Sequence, residues 1–315
     1  MALVNTLGQN PHNTPFFKHP LQMAHYWKYA VCLLVLAACS EKHPATDGKP
    51  AVSQPPAINK ANAPDPTTTG AYAFKPLQTV AAAEVPAAQR LPGQLLEAWR
   101  WRDANGENLL VMYRADIPSR NERRAQTDPA WRKKLADPNT VSSAEDDGRG
   151  AQLMVRQYVR KQGAYSELWR LQDSVSDCWL DLILGPAPHA TTVTDLDHNG
   201  QSETTVLYAL GCRGDVSSDD LKLIMHEGSA KYALRGFTVV QYDSIPARQR
   251  QPTNPCCLGR LNKAQLAKLC DGPPEGYIGR YFSEADFKGK PEFMRFARHQ
   301  WQRYSIFDIT QAQEE

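Results

Sequence analysis

The densest group of side chains able to do chemistry is Asp195-Leu196-Asp197-His198-Asn199-Gly200-Gln201-Ser202-Glu203, where oxygen-bearing residues take alternate positions and return at 203. Calcium takes six to eight hard oxygens at about 2.3 to 2.6 Å, and a loop turned by glycine can aim every second side chain inward. Asp195, Asp197, Asn199 and Glu203 are therefore the expected ligands of a structural Ca2+, with backbone carbonyls and water completing the shell. The same residues also suit a polar Asn-Gly turn that holds no metal. An EF-hand does not fit, because the twelfth position counted from Asp195 is Val206.

Carboxylates can also divide acid and base roles on a glycoside. That alternative makes the chain an envelope glycan hydrolase or transferase using Asp195, Asp197, Glu203 and Asp215, with His198 or His226 carrying protons. Asp215, Asp219 and Asp220 are read first as solvated turn residues, with a place at the same end of the sheet as the 195–203 loop as the alternative. The sequence contains no nucleophile elbow, His-Glu-x-x-His helix, phosphate loop or dinucleotide fingerprint. A non-enzymatic role is the favoured expectation.

The seven cysteines carry a second kind of chemistry. A positively flanked apolar run at 29–38 ends in Leu36-Ala37-Ala38-Cys39-Ser40. It is too short for a bilayer span, which needs about 20 apolar residues, and it has the shape of a secretory signal peptide. Its ending resembles the bacterial lipobox, which implies that Cys39 is lipidated and becomes the first mature residue. Two or three acyl chains hold a protein durably where one does not. Ser40 in place of an Asp favours an outer-membrane destination. The polar front before Met23 is long for a leader, so Met23 is the expected true start.

An exported chain meets an oxidising compartment, so the later cysteines are first read as disulfide partners. Cys178 opens one expected strand and Cys212 closes another, so the two should pair. Neighbouring cysteines rarely bridge each other, so one of Cys256 and Cys257, taken as Cys257, should join Cys270.

Removing residues 1–38 takes away Lys18 and Lys28 and leaves 34 basic residues against 34 acidic ones. Nucleic-acid binding, which wants a basic face, gains no support. The expected partners are the membrane, through the lipid, and envelope glycan or other envelope proteins.

The elements that must position these groups follow from periodicity. Residues 39–88 are rich in Pro, Ala, Thr and Lys and are expected to be a disordered tether. Alternating runs at 95–102, 109–114, 151–160, 165–174, 178–184, 191–194, 203–210, 220–227 and 231–240 are read as strands, broken by short turns such as Asn105-Gly106. Segment 115–150 reads as a long polar loop with a helical turn. Helical spacing returns at 261–269 and 291–304, the latter placing Phe293, Phe296, Ala297 and Trp301 on one stripe. The expectation is a mostly β fold, an antiparallel meander with one or two C-terminal helices: a β-rich domain at 89–250 and a helical cap at 251–315. The strand pattern leaves a propeller open, since the Asp195 loop is similar to the Asp-x-Asp-x-Asn-Gly-x-x-Asp/Glu loops of integrin-type propeller repeats. Asp103-Ala104-Asn105-Gly106 echoes it, with Trp101 where the first ligand would stand.

Thr194-Asp-Leu-Asp-His-Asn-Gly, Gly211-Cys-Arg-Gly-Asp-Val-Ser, Leu221-Lys-Leu-Ile-Met-His-Glu-Gly, Lys231-Tyr-Ala-Leu-Arg-Gly and the segment 290–301 together resemble a bacterial envelope family described as surface polysaccharide biosynthesis proteins. The resemblance implies a setting at the cell surface, with no catalytic residue to carry over. Trp99, Trp101, Trp169 and Trp179 are the candidates for stacking on sugar rings, provided they are exposed.

Overall fold

A computed structural model of the chain describes residues 77–140, 148–239, 246–270 and 276–306. The leader, Met23, Cys39 and most of the expected tether lie outside the described residues, as does the side chain of Cys270.

The first sheet is a five-stranded antiparallel meander in chain order: β1 (Gln78–Thr79), β2 (Gln94–Asp103), β3 (Gly106–Ile117), β4 (Arg149–Lys161) and β5 (Ala164–Cys178). The second contains β6 (Asp181–Pro186), β7 (Thr192–Thr194), β8 (Glu203–Arg213), β9 (Asp220–Glu227) and β10 (Ala230–Phe237), in the order β10-β9-β8-β6 with β7 also on β8. All pairings are antiparallel. Short helices fill the rest: α1 (Arg120–Thr127), α2 (Pro129–Leu135), α3 (Ala247–Arg250), α4 (Lys263–Cys270) and α5 (Pro291–Tyr304).

Turn chemistry sets the registers. The β4–β5 hairpin closes with Lys161 opposite Ala164, and Gln162 and Gly163 both take positive φ, 52° and 91°. That is the two-residue turn whose twist matches the flanking strands.

The two sheets stack face to face. Leu110, Met112, Leu153, Val155, Trp169 and Leu171 of the first meet Leu184, Val206, Tyr208, Ile224 and Ala233 of the second in one buried cluster. Each sheet is also covered on its outer face. Leu109, Val111, Tyr113, Met154 and Tyr158 pack under Val80 and Val85, so residues 80–85, inside the segment expected to be tether, belong to the fold. Ile183, Leu207, Leu223, Met225 and Leu234 pack under Phe293, Phe296 and Trp301 of α5. Burial on both faces explains why β3 and β8 read as nearly continuous apolar runs. The meander is thus realised as a β-sandwich with a covering segment on each side, and not as blades around an axis.

Cys256 and Cys257 are joined to each other, with Cα atoms 3.1 Å apart, and the side chain of Cys270, the expected partner of Cys257, lies outside the described residues. The Cys178–Cys212 pairing is present, with Cα atoms 5.6 Å apart.

Candidate functional sites at the two ends of the sandwich

At one end, Asp195 to Ser202 connect β7 to β8, and Thr194 pairs with Glu203 across the ladder. The Glu203 side chain turns back under its own loop. Its Oε2 accepts from the Thr194 hydroxyl (3.0 Å) and from the Leu196 amide (2.8 Å). Glu203 is fully buried, and Oε1 has no hydrogen-bond partner. Asp195 Oδ2 accepts from the Gly200 amide (3.2 Å), while Asp195 Oδ1 is also buried and unpartnered. One carboxylate oxygen each from Asp195, Asp197 and Glu203 lies within 4.8 Å of the others.

Asn199 is committed elsewhere. Its Oδ1 accepts from the Gln201 amide (2.7 Å), and its Nδ2 donates to Asp197 (3.2 Å) and Glu227 (2.6 Å). Lys290, just ahead of α5, donates to Asp197 Oδ2 (3.0 Å) and Glu227 Oε2 (3.2 Å). Burial pushes the Glu203 carboxyl up to about 8 against the pull of the Leu196 amide and Thr194 hydroxyl, and the charges of Asp197 and Glu227 push the same way.

The first hairpin docks on this loop. The Ala104 amide donates to the Gly200 carbonyl (2.8 Å), the Ser202 hydroxyl to Asp103 Oδ2 (2.6 Å), and the Trp101 indole N–H to the Ser202 hydroxyl (2.9 Å). The resemblance between the two Asn-Gly segments thus ends in contact: one turn braces the other. Deeper in the sandwich, Gln157 Oε1 accepts from Trp169 and from Thr204 (both 2.8 Å), and His226 stacks on the Trp169 ring at 4.2 Å.

The acidic trio at 215–220 does not join this site. β8 runs from Glu203 to Arg213, a rise of roughly 30 Å, and the antiparallel β9 begins at Asp220 opposite Leu210. The intervening turn must therefore sit at the far end of the sheet. There Asp219 takes Arg213 in a two-pronged ion pair (2.8 and 3.2 Å), and Asp215 Oδ1 accepts from the Ser217 amide and hydroxyl. The alternative that placed these acids at the Asp195 end of the sheet is not realised, and the pairing of Asp215 with Asp197 or Glu203 as acid and base goes with it. Asp215 lies in an exposed turn as expected, whereas Asp219 is buried in its ion pair.

The far end holds a cleft of about 1090 Å³ between the end of β3, the two helices that follow it, and the starts of β4 and β6. Arg114, Arg149, Asp116 and Asp181 are among its polar walls, Ile117 and Leu182 among its apolar ones. The Cys178–Cys212 bridge closes this end, since Cys178 pairs with Arg149 and Cys212 with Leu182 in the ladders. Among the described residues the exposed large hydrophobics are Trp179 (57 %) and Val216 (58 %), and both lie in the turns beside this disulfide. Leu180 packs close to Gly214, bringing those turns together.

The four tryptophans separate accordingly. Trp101 and Trp169 are buried, Trp99 is half-buried with its N–H on Glu97 (3.1 Å), and Trp179 is exposed. Nothing in the sequence distinguished Trp179 from the other three.

No protein-family model, curated protein or solved structure matches the chain. The family resemblance therefore rests on its sequence motifs alone. Among the described residues, no helix is long and apolar enough to cross a membrane.

Proposed function

We propose that this is a lipid-anchored envelope protein, tethered through Cys39 to the outer membrane, whose β-sandwich binds surface glycan without transforming it. The observation that carries the reading is Trp179, an exposed indole at the end of the sandwich that holds the mixed polar and apolar cleft. The C–H face of a sugar ring packs on an indole, while its hydroxyls need donors and acceptors of the kind that Arg114, Arg149, Asp116 and Asp181 supply. Among the described residues, Trp179 and Val216 are the exposed large hydrophobics, and both lie at this end.

The mature protein titrated with purified envelope polysaccharide is expected to bind saturably. Trp179→Ala should weaken that binding about tenfold, the loss of one stacked ring. Absence of saturable binding to every envelope glycan fraction would overturn the reading, as would full affinity in the Trp179→Ala protein.

A further inference from the structure

We propose that the 195–203 end binds one calcium ion, held by the carboxylates of Asp195, Asp197 and Glu203. This site is independent of the glycan reading, since the two lie at opposite ends of the sandwich.

Three observations converge. The first is geometric: one oxygen from each carboxylate lies within 4.8 Å of the others, and two oxygens on opposite sides of a calcium ion, each at about 2.4 Å, are separated by that distance. The second is an unmet hydrogen-bonding demand. Glu203 Oε1 and Asp195 Oδ1 are both shut off from solvent and receive no hydrogen bond, although buried oxygens are almost always partnered. Glu203 is the stronger case, because the whole residue is buried and its other oxygen is already satisfied from two sides. The third is charge. Asp195, Asp197, Glu203 and Glu227 crowd one end of the second sheet, and among the described residues Lys290 forms its ion pairs with Asp197 and Glu227. Among the described residues, no lysine or arginine pairs with Asp195 or Glu203, the two residues with bare oxygens.

The donor chemistry selects the ion. An all-oxygen carboxylate set suits calcium, magnesium or manganese over zinc or copper. Magnesium demands near-ideal octahedral geometry and keeps its water, whereas calcium accepts an irregular set supplemented by backbone carbonyls. The loop also meets the first hairpin and Lys290, so an ion there would tie β7, β8 and the approach to α5 together.

A shared proton between Asp195 and Glu203 is the competing way to satisfy the two bare oxygens, and the test separates them. Protein stripped with chelator is titrated with calcium chloride by calorimetry and melted with and without the ion. One-to-one binding is expected, with a melting temperature raised by roughly 5 to 10 °C at calcium a hundredfold above Kd. Asp195→Asn and Glu203→Gln keep side-chain size and should melt in chelator no lower than the parent, yet both should lose the calcium shift. Stability indifferent to calcium and magnesium would assign the oxygens a proton and overturn the proposal. A full calcium shift in Glu203→Gln would overturn the site, and a response to magnesium alone would overturn the choice of ion.

Discussion

His226 shows what a single side chain's setting does to its chemistry. It was a candidate proton carrier by type, but it lies flat on Trp169 inside the sandwich, where burial, aided by the charge of Lys231, lowers its pKa to about 4. An imidazole near 4 is neutral at pH 7 and a poor general acid there. In the unfolded chain the same group titrates near 6.5. Between these values the unfolded state binds more protons, so stability rises with pH through that window, is complete above about 6.5, and is lost as pH falls toward 4. The difference amounts to roughly 3 kcal/mol. Urea unfolding at pH 7 and pH 4 should show His226→Phe losing about that much less stability than the parent over the same span. An identical pH dependence in the two proteins would mean that the imidazole is not held neutral by the fold.

At the scale of elements, β-prone runs set off by turn residues placed the nine longer strands, although β3 and β8, apolar on both faces, show little period-two alternation, and the two-residue β1 was not read. The last helix was legible to the residue, since Pro291 fits its first turn and its stripe is continuous. The helices α1 and α2 were not read as such, because α1 is almost wholly polar and α2, seven residues long with Trp131 and Leu135 as its large apolar side chains, is too short to show a repeating stripe. Their ends were nonetheless written in the chain. Ser119 and Glu122 form a capping box, with the Glu122 amide donating to the Ser119 hydroxyl (3.1 Å) and the Ser119 amide to Glu122 Oε2 (2.7 Å). Asp128-Pro129 is the start of α2: Asp128 caps the Trp131 amide (3.1 Å) with Pro at the first helical position. The disulfide between Cys178 and Cys212 was legible because both cysteines sit at strand ends that a meander brings together. It closes a loop of 34 residues beside the cleft, which corresponds to about 3 to 4 kcal/mol in the chain-entropy account. Cys178→Ala with Cys212→Ala should lower the unfolding free energy by about that amount, measured in denaturant at constant pH; an unchanged midpoint would mean that the bridge adds nothing to the fold.

At the scale of the molecule, the less legible feature was which residues meet. The acidic loop and the 215–220 turn are near in sequence, yet one β-strand, β8, separates them by most of the sheet, and proximity in sequence said nothing of that. Trp101, Trp169 and Trp179 all stand in or next to strands, and only the stacking of two sheets decides that the first two are inside. The same layering makes a prediction about the whole fold. The outer face of the second sheet is apolar and is covered by α5, whose Trp301 is fully buried, donates its N–H to the Gly279 carbonyl (2.8 Å) and packs edge-on against Tyr281. Trp301→Ala should therefore cost about 3 to 5 kcal/mol, the usual toll of emptying a buried tryptophan site. Ending the chain after Lys290 goes further, because it bares Leu207, Leu223, Met225 and Leu234 together, an apolar patch of the kind that soluble monomers seldom display. That shortened protein should bind a hydrophobic dye strongly and lose its sharp melting transition. If it melted as cooperatively as the full chain and left the dye dark, the sandwich would be stable without its helical cover, and the layered account of the core would be wrong.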